Sequence, residues 1–274
     1  KRYSKTIPEI QMSLSLLSLY EVDGSNGDKT GVSILKTWDI DYEYEEPRKD
    51  QKNWSPFEHV KKDQPLSSSE LLFVTYPNPL RVVRLFEDAN TYKECQALSA
   101  ANNKTSTKES TKIQVITVSV DNDMKQRKVA WPTSLGEMRG GTPAIKVPHP
   151  TDASQSLYLS FFHSSNDVNE PVSMTIKYMD VLKTYTMGAF LFSITEPFQL
   201  LYVSDKPLIH KSLYTGNWPN QPWAFNHMDY IVFPTNVHMK DDVFYLQFGK
   251  QDKETWIASL TYTELKKSLI TVKN

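Results

Sequence analysis

Two short stretches hold the residue types best suited to gripping an anionic or hydroxylated ligand. They are Arg139-Gly140-Gly141-Thr142-Pro143-Ala144-Ile145 and Leu157-Tyr158-Leu159-Ser160-Phe161-Phe162-His163. Adjacent glycines can take φ > 0 where a side chain would clash, so the first stretch reads as a turn. The Pro after it fixes φ and starts an extended run. The second stretch is rich in aromatics and reads as a buried strand that ends at His163. An Arg at one strand's entrance and a His at another's exit could meet at one end of a sheet and hold a sugar or phosphate oxygen. The plain alternative is a tight turn with a solvated Arg and a core-edge His. A second candidate cluster, Asp39, Asp41, Glu43, Glu45 and Glu46, has carboxylates for Ca²⁺. Its spacing fits no Ca²⁺ loop, and a solvated surface is the better reading.

The elements that must position these residues read as short strands. Met12 to Val22 and Thr30 to Trp38 flank the turn signal Asp23-Gly24-Ser25-Asn26-Gly27 and make a hairpin. Lys52 to Phe57 contains Pro56, which limits it to an edge or a turn. Leu71 to Tyr76 and Arg81 to Phe86 are strands about Asn78-Pro79, and Lys112 to Val120 is another. Residues 89–112 look like a polar surface insertion, with a short helix expected near Tyr92 to Ala101. Further strands are expected over Val172 to Leu182, Tyr185 to Ile194, Phe198 to Val203, Tyr230 to Phe233, Val243 to Phe248 and Thr255 to Thr261. Thr263 to Leu269 reads as a helix, with Thr263 as N-cap and Glu264 in the first turn. No βαβ rhythm, WD signature or strict repeat appears, which leaves an all-β propeller or a large sandwich.

Composition narrows the function classes. The 274 residues are 39% hydrophobic and 12% aromatic, enough for a sizeable core in one domain over residues 1–274. Lys+Arg 31 against Asp+Glu 32 gives a net charge of -1, which does not favour nucleic acid as a partner. No apolar run has membrane-spanning length. The single Cys95 excludes an internal disulfide and a Cys-based zinc site. The chain begins Lys1-Arg2 without an apolar leader, so a processed product or a start inside a longer protein is expected. Sequons at Asn53-Trp54-Ser55 and Asn103-Lys104-Thr105 make Asn103, and less strongly Asn53, glycosylation candidates, and they weakly favour a secretory or extracellular location. A Ser-His-Asp hydrolase has no support, because no Gly-x-Ser-x-Gly elbow is present.

Several phrases in order resemble one family. They are Lys52-Asn53-Trp54-Ser55-Pro56-Phe57, Arg139-Gly140-Gly141-Thr142-Pro143, Tyr158-Leu159-Ser160-Phe161-Phe162-His163, Tyr185-Thr186-Met187-Gly188-Ala189-Phe190-Leu191-Phe192, Ser204-Asp205-Lys206-Pro207-Leu208, Val232-Phe233-Pro234 and Phe248-Gly249-Lys250-Gln251-Asp252. The order, from about Asn53 to the C-terminus, is similar to that of the five-bladed β-propeller glycan-active proteins. That group includes the β-mannoside phosphorylases and hydrolases of glycoside hydrolase family 130 and related mannosyltransferases. The resemblance implies a five-bladed propeller with a short C-terminal helix, acting on mannose-containing glycans by glycosyl transfer, phosphorolysis or hydrolysis. It places Arg139 and His163 where phosphate or a sugar oxygen is bound, and Asp252 where a carboxylate contacts substrate. A glycan or sugar phosphate is the implied partner, and no metal or cofactor is required.

The chain also departs from that pattern. The family's proton donor is an Asp in a Glu-Asp-Pro-Arg phrase, whereas this chain has only Glu45-Glu46-Pro47-Arg48, in a charged connection. An inverting glycosidase needs one well-placed carboxylic acid to protonate the leaving oxygen. That acid is expected before Lys1 or is lost. Leu80 stands where the family often has His, and Asn236 where Gly is usual, a mild change because Asn tolerates φ > 0. The strands make about four blades, so either a second chain or an N-terminal fragment completes the first blade, or the first hairpin belongs to a shortened blade. The competing reading is a non-catalytic glycan-binding or assembly propeller.

Overall fold

The computed structural model describes residues 13–22, 29–41, 53–60, 69–87, 111–120, 131–168, 182–210, 213, 231–250 and 254–272. The described residues are mostly strand, so the chain is all-β. They divide into two compact units, one of residues 1–52 and 84–116, the other of residues 53–83 and 117–274. Asp252, Asn103, Glu45-Glu46-Pro47-Arg48, most of the 89–112 stretch and the strand expected over 172–181 lie outside the described residues.

In the first unit β1 (Ser13–Val22) and β2 (Lys29–Asp41) form the expected antiparallel hairpin, with a register shift between Leu16 and Leu17. The end of β2 also runs parallel to a strand opening at Thr111, with Ile40 opposite Ile113.

The second unit starts at β3 (Ser55–His59), antiparallel to β4 (Glu70–Pro77), and β5 (Leu80–Glu87), of which residues 80–83 belong to this unit, follows across the turn Asn78-Pro79. β3 ends its sheet order, the edge position that Pro56 demands. Leu80 is fully buried in the core beside Leu72 and Val82, so an apolar residue suits its position. β6 (Thr111–Val120) belongs to the first unit up to Ile116, and within the second unit the 3-10 turn Thr133–Leu135 leads into β7 (Glu137–Gly141).

The central sheet of this unit comprises β7, β8 (Ile145–Pro148), β9 (Ser156–Val168), β10 (Leu182–Ser193) and β11 (Leu200–Ser204). β7 and β8 pair successively with β9, broken by Thr142, Pro143 and Ala144. Beyond it β12 (Val232–Lys240), β13 (Val243–Lys250) and β14 (Glu254–Thr261) form a three-stranded antiparallel sheet. The short helix α1 (Tyr262–Lys266) follows, and β15 (Leu269–Thr271) returns to pair with β11.

β9 does not follow the polar-out alternation of a half-buried strand. Tyr158 and Phe162 join one core with Phe57, Leu72, Phe190 and Phe192, while Leu157, Leu159 and Phe161 join another with Met187, Val232, Phe244 and Phe248. Both faces of the central sheet are therefore covered, which explains the near-continuous apolar run Leu157 to Phe162. Each fully buried Phe or Leu contributes roughly 1.5–3 kcal/mol. The polar Ser160, buried in this run, donates to the Thr142 carbonyl at 2.8 Å.

Several local expectations change. β9 runs on to Val168, so His163 lies within the strand rather than at its end. Neither Gly140 nor Gly141 has φ > 0; among the described glycines only Gly136 does, at 85°. The glycines serve close approach instead. A Cβ on Gly140 would lie 1.6 Å from the Asn53 carbonyl oxygen, and one on Gly141 would lie 2.4 Å from the Phe161 carbonyl oxygen. β12 is longer than Tyr230 to Phe233 because a bulge between Pro234 and Asn236 carries the proline through. Asn236 does not have φ > 0; its side-chain oxygen accepts from the Val237 N–H at 2.9 Å. The helix N-cap is Thr261, not Thr263, since Thr261 and Glu264 form a reciprocal capping box. Leu269 belongs to β15 rather than to the helix.

The two glycine environments generate a paired prediction. Gly140→Ala should destabilise the chain by about 3 kcal/mol or more, since the added methyl meets backbone and forces strands apart. Gly249→Ala should change stability by less than about 1 kcal/mol, because its nearest contact would be the Phe233 carbonyl oxygen at 3.9 Å. Urea unfolding of both variants measures the contrast, and equal losses would contradict the packing account.

Candidate functional site

Register brings the two sequence candidates together. Arg139 on β7 lies directly opposite His163 on β9, and His163 lies opposite Met187 on β10. A register shift between Arg139 and Gly141 follows at once, ending the regular ladder beside the pair. Gly141 donates its N–H to the Ser55 hydroxyl at 3.1 Å, and Thr142 donates its N–H to the Phe161 carbonyl at 2.9 Å. Ala144 donates its N–H to the Pro56 carbonyl at 2.8 Å. The chain around Arg139 is thus clamped between β3 and β9.

The two side chains differ in exposure. Arg139 is exposed, whereas His163 is only 2% exposed. The imidazole stacks on Tyr185, with ring centroids 5.7 Å apart and planes 9° apart, and meets Phe233 of β12 at 4.4 Å. Its Nδ1 lies 2.6 Å from the Gly140 carbonyl oxygen. A carbonyl can only accept, so Nδ1 carries the proton and Nε2 is the bare acceptor. Burial pushes the imidazole down to about 4, opposed by the Gly140 hydrogen bond and assisted by the positive charge of Arg139. At pH 7 the pair therefore presents one permanent cation, Arg139, over a neutral ring. Arg139 can offer a planar fork of donors to a phosphate or carboxylate oxygen. None of the groups that shift His163 is a carboxylate.

The other candidates have different fates. Asn53 is described: its carbonyl faces Gly140, and the hydroxyl of Ser55 in the same sequon is buried and accepts from Gly141. Asp252 and Asn103 lie outside the described residues. The phrase that ends in Asp252 does contribute Lys250, 2% exposed, whose ammonium lies 4.7 Å above the Trp256 ring. Trp256 in turn donates its indole N–H to Glu254 at 2.6 Å. Sequence reasoning gives Lys250, Tyr185 and Phe233 no role. Tyr185 and Phe233 look like ordinary strand residues, and only the packing of β12 beside β9 and β10 brings their rings to His163.

The His163 shift makes stability depend on pH. The folded value, about 4, lies below the ordinary 6.5, so the unfolded chain binds the extra proton. The contribution of this group is therefore full above pH 6.5 and falls away as the pH drops towards 4, by up to about 3 kcal/mol. His163→Asn keeps a donor for the Gly140 carbonyl but cannot titrate. Urea unfolding across this window should show a shallower pH slope in His163→Asn than in the parent, and identical slopes would overturn the assignment.

No family model matches this chain, and no curated protein matches it. Among solved structures it is similar to a glycosyl hydrolase from Bacteroides ovatus, at 13% identity and TM-score 0.41, over 90% of this chain and 61% of that one. It is also similar to a protein provisionally described as a glycoside hydrolase from Parabacteroides distasonis, at 13% identity and TM-score 0.42, over 89% of this chain and 63% of that one. The chain thus spans less than two thirds of either structure's length.

Proposed function

We propose that this chain is a carbohydrate-active β-propeller protein, with residues 1–274 in one domain and 89–112 as a surface insertion, that takes a mannose-containing glycan or sugar phosphate at Arg139. The single observation that carries the reading is the pairing of an exposed Arg139 with a neutral, buried His163 beneath it. Arg139 is the group that meets the anionic or hydroxyl oxygen. His163 positions it, because its Nδ1–H fixes the Gly140 carbonyl in the residue that follows Arg139. The resemblance of its phrase implies that Asp252 contacts a sugar hydroxyl. The reaction is glycosyl transfer, phosphorolysis or hydrolysis. Glycosylation at Asn103 belongs to the same proposal.

One observation favours a second reading, a propeller that binds glycans without turning them over. No carboxylate is among the groups that act on His163, so no acid–base pair assembles there among the described residues.

Calorimetric titration of the chain with mannose and mannose 1-phosphate tests binding, and incubation with β-mannosides and phosphate tests turnover. Arg139→Gln should weaken mannose 1-phosphate binding at least about tenfold, since a charge-assisted contact is lost, without moving the unfolding midpoint. Binding with release of mannose or mannose 1-phosphate supports the enzyme, and binding alone supports the second reading. Absence of binding by the folded chain, or equal binding by Arg139→Gln, contradicts both.

A further inference from the structure

The opposite face of β9 carries a cluster that the sugar chemistry does not use. Tyr158 points to the face shared with Phe57, Phe192 and Phe198, whereas His163, five positions on, meets Tyr185 and Phe233. Beside Tyr158 lie His59 at the end of β3, Glu70 opposite it on β4, and Glu196 in the turn between β10 and β11. One ligand atom from each of the three, His59, Glu70 and Glu196, lies within 4.8 Å of the other two. The His59 side chain is 5% exposed and that of Glu196 is 41% exposed.

Hydrogen bonding fixes which imidazole nitrogen faces the carboxylates. The Tyr158 hydroxyl donates its one proton to the Glu58 carbonyl at 2.8 Å. At the His59 Nδ1, 3.4 Å away, the phenol oxygen can therefore only accept, so Nδ1 carries a proton. Nε2 is the atom that faces Glu196, 4.0 Å from its carboxylate oxygen. In a neutral ring that nitrogen is a lone pair turned towards negative charge. A cation placed there would meet that lone pair and both carboxylates at once. Phe198 meets the imidazole edge-on at 5.1 Å, and Tyr158 holds its other nitrogen, so the ring orientation is fixed as in a ligating histidine.

We infer that His59, Glu70 and Glu196 form a binding site for a divalent transition-metal cation, with Zn²⁺ the natural probe. One imidazole nitrogen and two carboxylates are a three-ligand set that leaves a position for water. Ligand atoms about 2.1 Å from a tetrahedral ion lie about 3.4 Å from one another, so the site closes by roughly an ångström on loading. Glu196, in a turn and 41% exposed, is the ligand whose side chain has room to make that movement. The ion ties the β3–β4 hairpin to the turn after β10, joining elements that are distant in sequence.

The test uses the tag-free chain stripped with chelator. Calorimetric Zn²⁺ titration should show one equivalent bound, with a rise in the thermal unfolding midpoint. Glu196→Gln and Glu70→Gln should each weaken binding at least about tenfold and remove most of that rise. Glu196→Gln alters an exposed side chain, so loss of binding there does not reflect loss of fold. Co²⁺ in place of Zn²⁺ should give visible d–d absorption in the parent and lose it in Glu196→Gln. Failure of the folded parent to bind Zn²⁺, or undiminished binding in both variants, overturns the inference.

Discussion

Everything around the candidate site depends on how closely two backbone carbonyls and a proline ring approach Gly140 and Gly141. The Asn53 carbonyl, the Phe161 carbonyl and the Pro234 ring all fall within the space that a Cβ would fill, at 1.6, 2.4 and 2.9 Å respectively. A side chain at either glycine would push the lead into β3, or β9, or β12 away from β7. With the contact in place, the Gly140 carbonyl faces the His163 imidazole and Gly141 reaches the Ser55 hydroxyl. Arg139 is the last side chain before the gap, and it is held at the surface by what the next two residues lack.

The second requirement is a central sheet covered on both faces. Phe57, Tyr158, Phe192 and Phe198 stack in tilted and edge-on pairs on one side, and Phe161, Phe244 and Tyr262 meet edge-on across the other. The chain end reinforces this second layer. Tyr262 of α1 donates its hydroxyl to the Pro148 carbonyl, and β15 pairs with β11 through Ile270 opposite Val203. Burial on this scale suppresses charge, so His163 is neutral beside a permanent cation.

Much of the strand order was legible, because runs such as Lys112 to Val120 and Val243 to Phe248 carry the period and the β-branched or aromatic residues of strands. That Arg139 and His163 could meet was open to sequence reasoning, but not that they meet within the sheet, since β9 runs on past His163 to Val168. The reason for the glycines was not, since sequence cannot separate a positive φ from a crowded Cα; only the position of Asn53 does so. Thr263 and Thr261 are equally good caps by type, and Glu264 chooses Thr261 because it stands three residues after it. β15 escaped because three residues carry no period. The His59 cluster was hidden for a simpler reason: its members join β3, β4 and the turn after β10, which only the packing brings together. The propeller reading rests on the order of the phrases, and the described sheets show an all-β chain without fixing a number of blades.

A crystal structure of the chain soaked with mannose 1-phosphate tests the central claim most directly. The account predicts the ligand's phosphate or sugar oxygens within hydrogen-bonding distance of the Arg139 guanidinium, with His163 still donating Nδ1–H to the Gly140 carbonyl beneath it. A ligand bound away from Arg139, or a crystal of the folded chain that takes up none, would contradict it.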